Sequence, residues 1–444
     1  MRKTVWTGKK KFLTVVCAVV AVALIAGIVI TCVSYADFKR KDDFCGNPSL
    51  SAVGIDAPMY FDSLSGAPTE GEMQRLKAYA RSMEKPVNNY TPARNGLVYG
   101  KLGTAFEGLL FLYDATGDTE LLDILIDWTD RIINGRNDMP AGDRRVIWDG
   151  TISPVYPNEE DPFKVPDSEQ GEIAGKIFRV ASLIYKRAEL HAQAVPVGDG
   201  FNNGATYKER ADTFITRAGE TLFRYIIPTF IGSDFSIRYP FDDRFYDTRH
   251  YGNINLDNRM RIMMTNRQFM IAYATQYGAE VYAEIGETER ATLCKKITQK
   301  SLESFEKSIK VQCVWSKKVA DWYYWPTNKN AKERVNNFLE DTGHAAFDVL
   351  GYYRILRSGD YTARADMTGY VANTISYRLN SGDGTFAQNV RGKKGTETSL
   401  RPQFLLMAVY EPRIMRLVTT GYLRSATEDV GMFATLLYVR GMQP

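Results

Sequence analysis

The chain opens with an uninterrupted apolar run and then settles into helical periodicity for most of its length. From Phe12 to Tyr35, 24 residues (FLTVVCAVVAVALIAGIVITCVSY) carry no charge. At 1.5 Å per helical residue this stretch is ~36 Å long, enough to cross a hydrocarbon core of ~30 Å. Beyond about residue 70, apolar positions recur at i, i+3, i+4 and i+7. Leu109, Leu112 and Tyr113 show this period, as do Leu121, Leu122, Ile124 and Leu125. It predicts helices over 71–85, 103–115, 119–135, 169–192, 205–226, 259–284, 287–310, 336–357, 360–380, 398–410 and 425–440. Strand-like alternation is confined to short pieces near 146–156 and 235–241.

Three junctions between predicted helices are tight: Gly117-Asp118-Thr119, Gly286-Glu287-Thr288 and Gly359-Asp360-Tyr361. In each, glycine suits a left-handed C-cap and the following acid or Thr suits the next N-cap. Short loops force antiparallel neighbours, so each pair reads as an αα-hairpin. The other connections, about 136–168, 227–258, 311–335 and 381–397, are long. Loops of such length are often functional. Short turns at one end and long loops at the other predict an all-α body built as an (α/α) toroid, incomplete or six-hairpin, with the long loops on one face. A solenoid would repeat every ~34–47 residues. The junction glycines are 169 and 73 residues apart, which favours the closed ring.

Composition excludes more than it selects. With 444 residues, 44% hydrophobic and 24% charged, the chain is neither disordered nor polytopic. Its formal net charge is +4, but Arg2, Lys3, Lys9, Lys10 and Lys11 supply five positive charges, leaving a net −1 for the rest. The body therefore has no electrostatic reason to bind nucleic acid. The positive flank predicts a cytoplasmic N-terminus and an extracellular or luminal body. The expected organisation is a basic tail (1–11), a transmembrane signal anchor (12–36), a polar stalk (37–70) and the helical body (71–444). Ser34-Tyr35-Ala36 fits a signal-peptidase site, so a secreted protein is the rival, but secretory apolar cores are usually shorter. Cys17 and Cys32 lie in the apolar run, and Cys45, Cys294 and Cys313 lie outside it. No CxxC pair or Cys/His cluster is present, so a structural zinc site is not expected; no metal ligand or cofactor is assigned, and metal dependence stays open. An oxidising compartment would permit a Cys294–Cys313 bridge. Asn89-Tyr90-Thr91 is the single N-glycosylation sequon.

Two segments carry a family resemblance. EGLLFLYDATGDTELLDILIDWTDRIING (107–135) resembles the hairpin unit of six-hairpin glycosidases and of the related (α/α)-toroid polysaccharide lyases, and LEDTGHAAFDVLGYYRILRSGDY (339–361) resembles another such hairpin. The resemblance implies carbohydrate processing in a cleft on the long-loop side, without fixing hydrolase against lyase. Alginate-lyase-like relatives often carry Asn-Asn-His. Here Asn336-Asn337 is followed by Phe338, with His344 further along, so that motif does not transfer directly.

The leading catalytic cluster is Asn337, Glu340, Asp341 and His344. On a helix starting near Asn336, positions 337, 341, 344 and 348 share one face. A second cluster, Arg244, Tyr246, Arg249, His250, Tyr251 and Asn253 with Asn266 and Arg267, precedes or opens the 259–284 helix. A uronate lyase must neutralise a carboxylate, take the C5 proton and protonate the leaving oxygen. Asn, Arg and His serve the first task and Tyr or His the others. His344, Asp341, His250, Tyr251, Asn337 and Arg249 are accordingly the expected catalytic set, and Arg267 an expected substrate ligand. A glycoside hydrolase would instead pair carboxylates such as Asp149, Glu169 and Asp341. Trp148, Tyr156, Trp322, Tyr323 and Trp325 fall in long loops and are expected to form a sugar platform. The bland alternatives are capping for the acids, a core role for the histidine and a satellite core for the aromatics. The sequence thus predicts a membrane-anchored enzyme acting on a polysaccharide. A uronate lyase is the first reading, a glycoside hydrolase the second and a non-catalytic glycan-binding or scaffold protein the third.

Overall fold

The helical repeats form helices whose ends are fixed by their caps. The computed structural model describes residues 4–46, 65–83, 96–98, 100–156, 166–246, 259–326, 339–382, 385–393, 401–417 and 429–442. Helix α1 spans Thr4–Gly46, followed by α2 (Glu70–Ser82), α3 (Lys101–Thr116) and α4 (Thr119–Asn134). Gly117 closes α3 in the left-handed conformation (φ 65°), and Asp118 caps α4 by accepting from Glu120 N and Leu121 N. The expected hairpin is therefore present. Next come α5 (Glu169–Tyr185), α6 (Tyr207–Thr221), a π turn leading into α7 (Ile227–Phe230), α8 (Thr265–Glu284) and α9 (Thr288–Ser308). After a β-hairpin come α10 (Thr342–Ser358), α11 (Met367–Thr374), α12 (Pro402–Leu405) and α13 (Val430–Met442).

Packing runs from α3 to α5, α8, α10, α12 and α13 and returns to α3, while α4, α6 and α9 pack on α3, α5 and α8 respectively. Contacts at matching levels show that neighbouring helices of this series run parallel. Toward the C-terminal ends, Phe111 packs with Tyr353 and Tyr438 at centroid distances of 5.6 and 5.2 Å. Arg187, just past α5, donates to Gly117 O at the end of α3 (3.2 Å). At the other end, Gly431 approaches the backbone of Thr104 and Gly171 that of Ile271, where a Cβ would not fit. The N-terminal ends thus gather on the side entered by the long connections. The interior is filled: Leu109, Leu121, Leu125, Ile177, Phe178 and Leu437 are fully buried.

Several expectations need correction. Segments 146–156 and 235–241 contain no strand; the hairpin is β1 (Lys310–Val314) with β2 (Lys317–Asp321), inside a connection read as loop. Its two-residue turn puts Trp315 at φ 52°, a strained setting for a bulky residue. The C-terminal helix pair is looser than the junction Gly359-Asp360-Tyr361 implied. Gly359 does cap α10 at φ 71°, but α11 starts only at Met367. Cys294 is buried and Cys313 exposed, and both are free. Cys294 lies 14 residues before the end of α9, about 21 Å along the helix axis, so the expected bridge does not form.

Helix α1 includes a span, Val15–Asp43, long and apolar enough to cross a membrane, whose most apolar 18-residue window is not buried by the body. It continues through residues 37–46, which were read as stalk. That end docks on the body: Phe38 stacks on Tyr377 (5.3 Å), Arg413 bonds Asp42 (2.5 Å), and the Trp315 indole donates to Ser34 O (3.2 Å).

Candidate functional site

The residues Leu339 to Asp341 are held between two extended segments just before α10 begins. Leu339 bridges Tyr323, Glu340 N donates to Trp322 O (3.2 Å), and Val390 N donates to Glu340 O (3.0 Å). Asp341 bridges Asn389, and Thr342 N donates to Gln388 O (3.1 Å). The chain is therefore extended at Glu340, and the helix starts at Thr342 rather than near 336. Asp341 is its N-cap, accepting from His344 N at 3.0 Å. The capping role weighed for this acid is real, but it does not use up the carboxylate. Asp341 Oδ2 lies 2.5 Å from His344 Nδ1, which orients the ring and leaves Nε2 as the nitrogen not engaged by Asp341. Both side chains are about two-fifths exposed, so a ligand can reach them.

Behind this dyad stands a buried acid pair. Glu340 and Asp348 are wholly buried. Asp348 Oδ2 accepts from the Trp322 indole at 2.8 Å. Asp348 Oδ1 and both Glu340 oxygens have no hydrogen-bond donor beyond the two facing carboxyls themselves. Burial, and then the charge of the facing Asp348, push the Glu340 carboxyl well above its ordinary range; burial likewise raises Asp348. Burial also acts against ionised Asp341, but the hydrogen bond and charge of His344 outweigh it and hold that carboxyl low. Glu340, Asp341 and His344 each offer a ligand atom, all within 4.8 Å of one another.

A strip of polar groups extends from the dyad across the N-terminal ends of α8 and α5. The Tyr324 ring packs on His344 at 4.9 Å. Burial pushes its hydroxyl up to about 12, against the pull of Arg267, which hydrogen-bonds it. Arg267 in turn pairs with buried Asp167, whose carboxyl burial raises while Arg267 pulls it down. At the same end, Thr265 Oγ1, Asn266 Oδ1 and Gln403 Oε1 are buried without hydrogen-bond partners. Buried polar groups are normally satisfied, so such a concentration calls for a ligand or water.

Not all the expected residues converge. Asn337, Arg249, His250 and Tyr251 lie outside the described residues, as do Asn253 and the Asn89 sequon. Arg267, Asp341 and His344 come together through Tyr324, which lies between the expected platform residues Tyr323 and Trp325. Its position next to His344 depends on the Tyr323–Leu339 bridge, for which the sequence has no signal. Glu169 is buried in the first turn of α5. Asp149 closes a turn by accepting from Thr151 N (2.9 Å) and Thr151 Oγ1 (2.8 Å).

The sugar-platform expectation is also corrected at three positions. Trp322 and Tyr156 are fully buried and Trp325 nearly so. Trp322 serves Asp348, Tyr156 N donates to Gln170 Oε1 (2.7 Å), and Trp325 carries the Arg261 guanidinium 3.6 Å above its ring. Large aromatics under a loop gain more from burial than from exposure. Trp148 and Tyr323 keep partial exposure, Trp148 donating to Tyr225 Oη at 3.0 Å. No protein-family model matches the chain, and no curated protein matches it. The site itself combines an accessible Asp–His dyad with a tyrosine and an arginine, residue types able to exchange protons and to face an anion.

Proposed function

We propose that the protein is a membrane-anchored, extracytoplasmic enzyme that cleaves an acidic polysaccharide by β-elimination. The observation that carries this reading is the Asp341–His344 dyad, set 4.9 Å ring to ring from Tyr324 and linked through it to Arg267. His344 takes the C5 proton of a uronate or stabilises the charge that develops there. The Tyr324 hydroxyl, a poor acid in its ground state, returns a proton to the leaving oxygen. Arg267, though paired with Asp167, supplies positive potential for the substrate carboxylate, and the gathered N-terminal ends of α5, α8 and α10 add to it. The cyclic order of the packed helices supports an (α/α) toroid with its cleft on the long-loop side. The basic residues before the apolar run support a cytoplasmic N-terminus.

A lyase leaves an unsaturated uronate that absorbs in the ultraviolet, whereas a hydrolase leaves a reducing end without that chromophore. On a panel of acidic polysaccharides, the full chain in detergent should produce rising absorbance. Reducing ends without absorbance would replace this reading with the hydrolase, and neither signal would favour a glycan-binding scaffold. Protease protection of the body in sealed vesicles checks the orientation, which fails if residues 65–442 are digested without detergent.

A further inference from the structure

We infer that Glu340, Asp341 and His344 form a binding site for one first-row divalent cation, of the zinc or manganese kind. The argument begins with charge. Three carboxylates (Glu340, Asp341 and Asp348) meet around a single imidazole, and Glu340 and Asp348 are wholly buried. Burying an ionised carboxylate without a partner is costly, and buried charges are normally paired or ligate metal. Glu340 has no donor at either oxygen beyond the facing Asp348 carboxyl, although its backbone is pinned on both sides by Trp322 O and Val390 N. Its side chain points at the dyad, with Oε1 3.7 Å from His344 Nδ1.

Geometry agrees with the charge. Ligands bound at ~2.0–2.2 Å around one ion lie about 3 to 3.5 Å apart. Here His344 Nδ1 is 2.5 Å from Asp341 Oδ2 and 3.7 Å from Glu340 Oε1, and the three atoms fit within 4.8 Å. Small rotations of Asp341 and His344 open room for an ion in place of the proton they share. A mixed carboxylate–imidazole set selects zinc or manganese over calcium, which prefers oxygen alone. Asp348 stands behind Glu340 and is itself held by the Trp322 indole, so it orients the ligand from outside. The two-fifths exposure of Asp341 and His344 leaves a path in and an open side for water or a substrate carboxylate. The sequence shows no metal signature because the ligands fall at i, i+1 and i+4 across a strand-to-helix junction.

This site holds a cation whether or not the chain cleaves a polysaccharide, but it shares His344 with the proposed reaction. With Nδ1 ligated, Nε2 keeps its proton, and His344 then stabilises developing negative charge rather than removing a proton.

The test is a titration of chelator-stripped full-length protein in detergent with zinc chloride, and separately with manganese chloride, by calorimetry and by thermal melting. The expected result is one ion per chain with micromolar or tighter affinity and a raised melting temperature. Glu340→Gln and His344→Ala should each weaken binding at least 30-fold, while circular dichroism shows both still folded. Glu340→Gln keeps the side-chain shape and removes a buried charge, so it is expected to fold at least as well as the wild type. Equal affinity in the wild type and both variants would place the ion elsewhere and overturn the site. So would no binding of either ion by the wild type at millimolar concentration, which would mean that Glu340 and Asp348 merely share a proton. Polysaccharide cleavage is scored separately, so loss of that reading leaves the titration result intact.

Discussion

Helix α10 carries two buried charged regions two turns apart, and they are built on opposite terms. Around Arg354, three carboxylates (Glu107, Asp114 and Glu172) meet four cations (Lys176, Arg179, Arg354 and Arg357). Arg354 holds Glu172 with two bonds of 2.9 and 2.7 Å and Glu107 with one of 3.0 Å, and the Tyr273 hydroxyl donates to Glu107 at 2.9 Å. Around Asp348, three carboxylates meet one imidazole, and three buried carboxylate oxygens find no donor outside the acid pair. Burial is nearly the same for Glu107 and Glu340, yet their titration moves in opposite directions. Burial pushes both up, but Arg354 and Arg179 bring Glu107 down to about 2, whereas the facing Asp348 drives Glu340 further up. The first region is self-contained and ties α3, α5, α8 and α10 together. The cavity beside it measures only about 10 Å³, room for one water at most. The second region is incomplete and lies at an accessible edge, which is the ground on which it is proposed as the functional site.

The most damaging way to break this contrast is at the complete network. Arg354→Met should leave Glu107 and Glu172 facing each other in a dry interior and cost about 3–5 kcal/mol in urea unfolding. A loss below about 1 kcal/mol would show that the network is ornamental and that the two regions do not differ in kind.

His344→Ala probes the incomplete region and should reverse the pattern. Turnover on a cleaved polysaccharide should fall ~10²–10⁴-fold. Stability should change by less than about 1 kcal/mol, because the ring is partly exposed. Full activity in a folded variant would reduce the 339–348 segment to a capped structural helix.

The finest test is the pH dependence of melting. Glu340 and Asp348 have folded-state pKa values above those of free carboxyls, so protonation favours the fold. The stability they contribute is fully present below about pH 4 and is lost as pH rises through about 7, where Asp348 titrates. The groups facing the pair are Asp341, His344 and the Tyr324 hydroxyl. Glu340→Gln removes one carboxyl, so the fall in stability between pH 4 and 7 should become shallower. An unchanged slope would mean that the acids do not interact in the folded chain.

The chain's local chemistry was legible in its sequence wherever it depends on near neighbours. The apolar run, the helical periods, the Gly117 and Gly359 caps and the capping role of Asp341 all follow from contacts within about four residues. The candidate face at 341, 344 and 348 was legible for the same reason, although its helix starts later than the pattern suggested. Only the tertiary structure decided what those residues meet. Glu340 became a buried acid because extended segments at 322–323 and 387–390 clamp the chain in an extended form that its helical neighbourhood does not predict. Trp322 and Tyr156 became core because the loops carrying them fold over the helix ends, and Tyr324 reached His344 through the same fold. Hydrophobic period fixes which face of a helix turns inward, whereas long-range backbone pairing chooses which loop covers it. Pairing of that kind leaves no periodic trace in a single sequence.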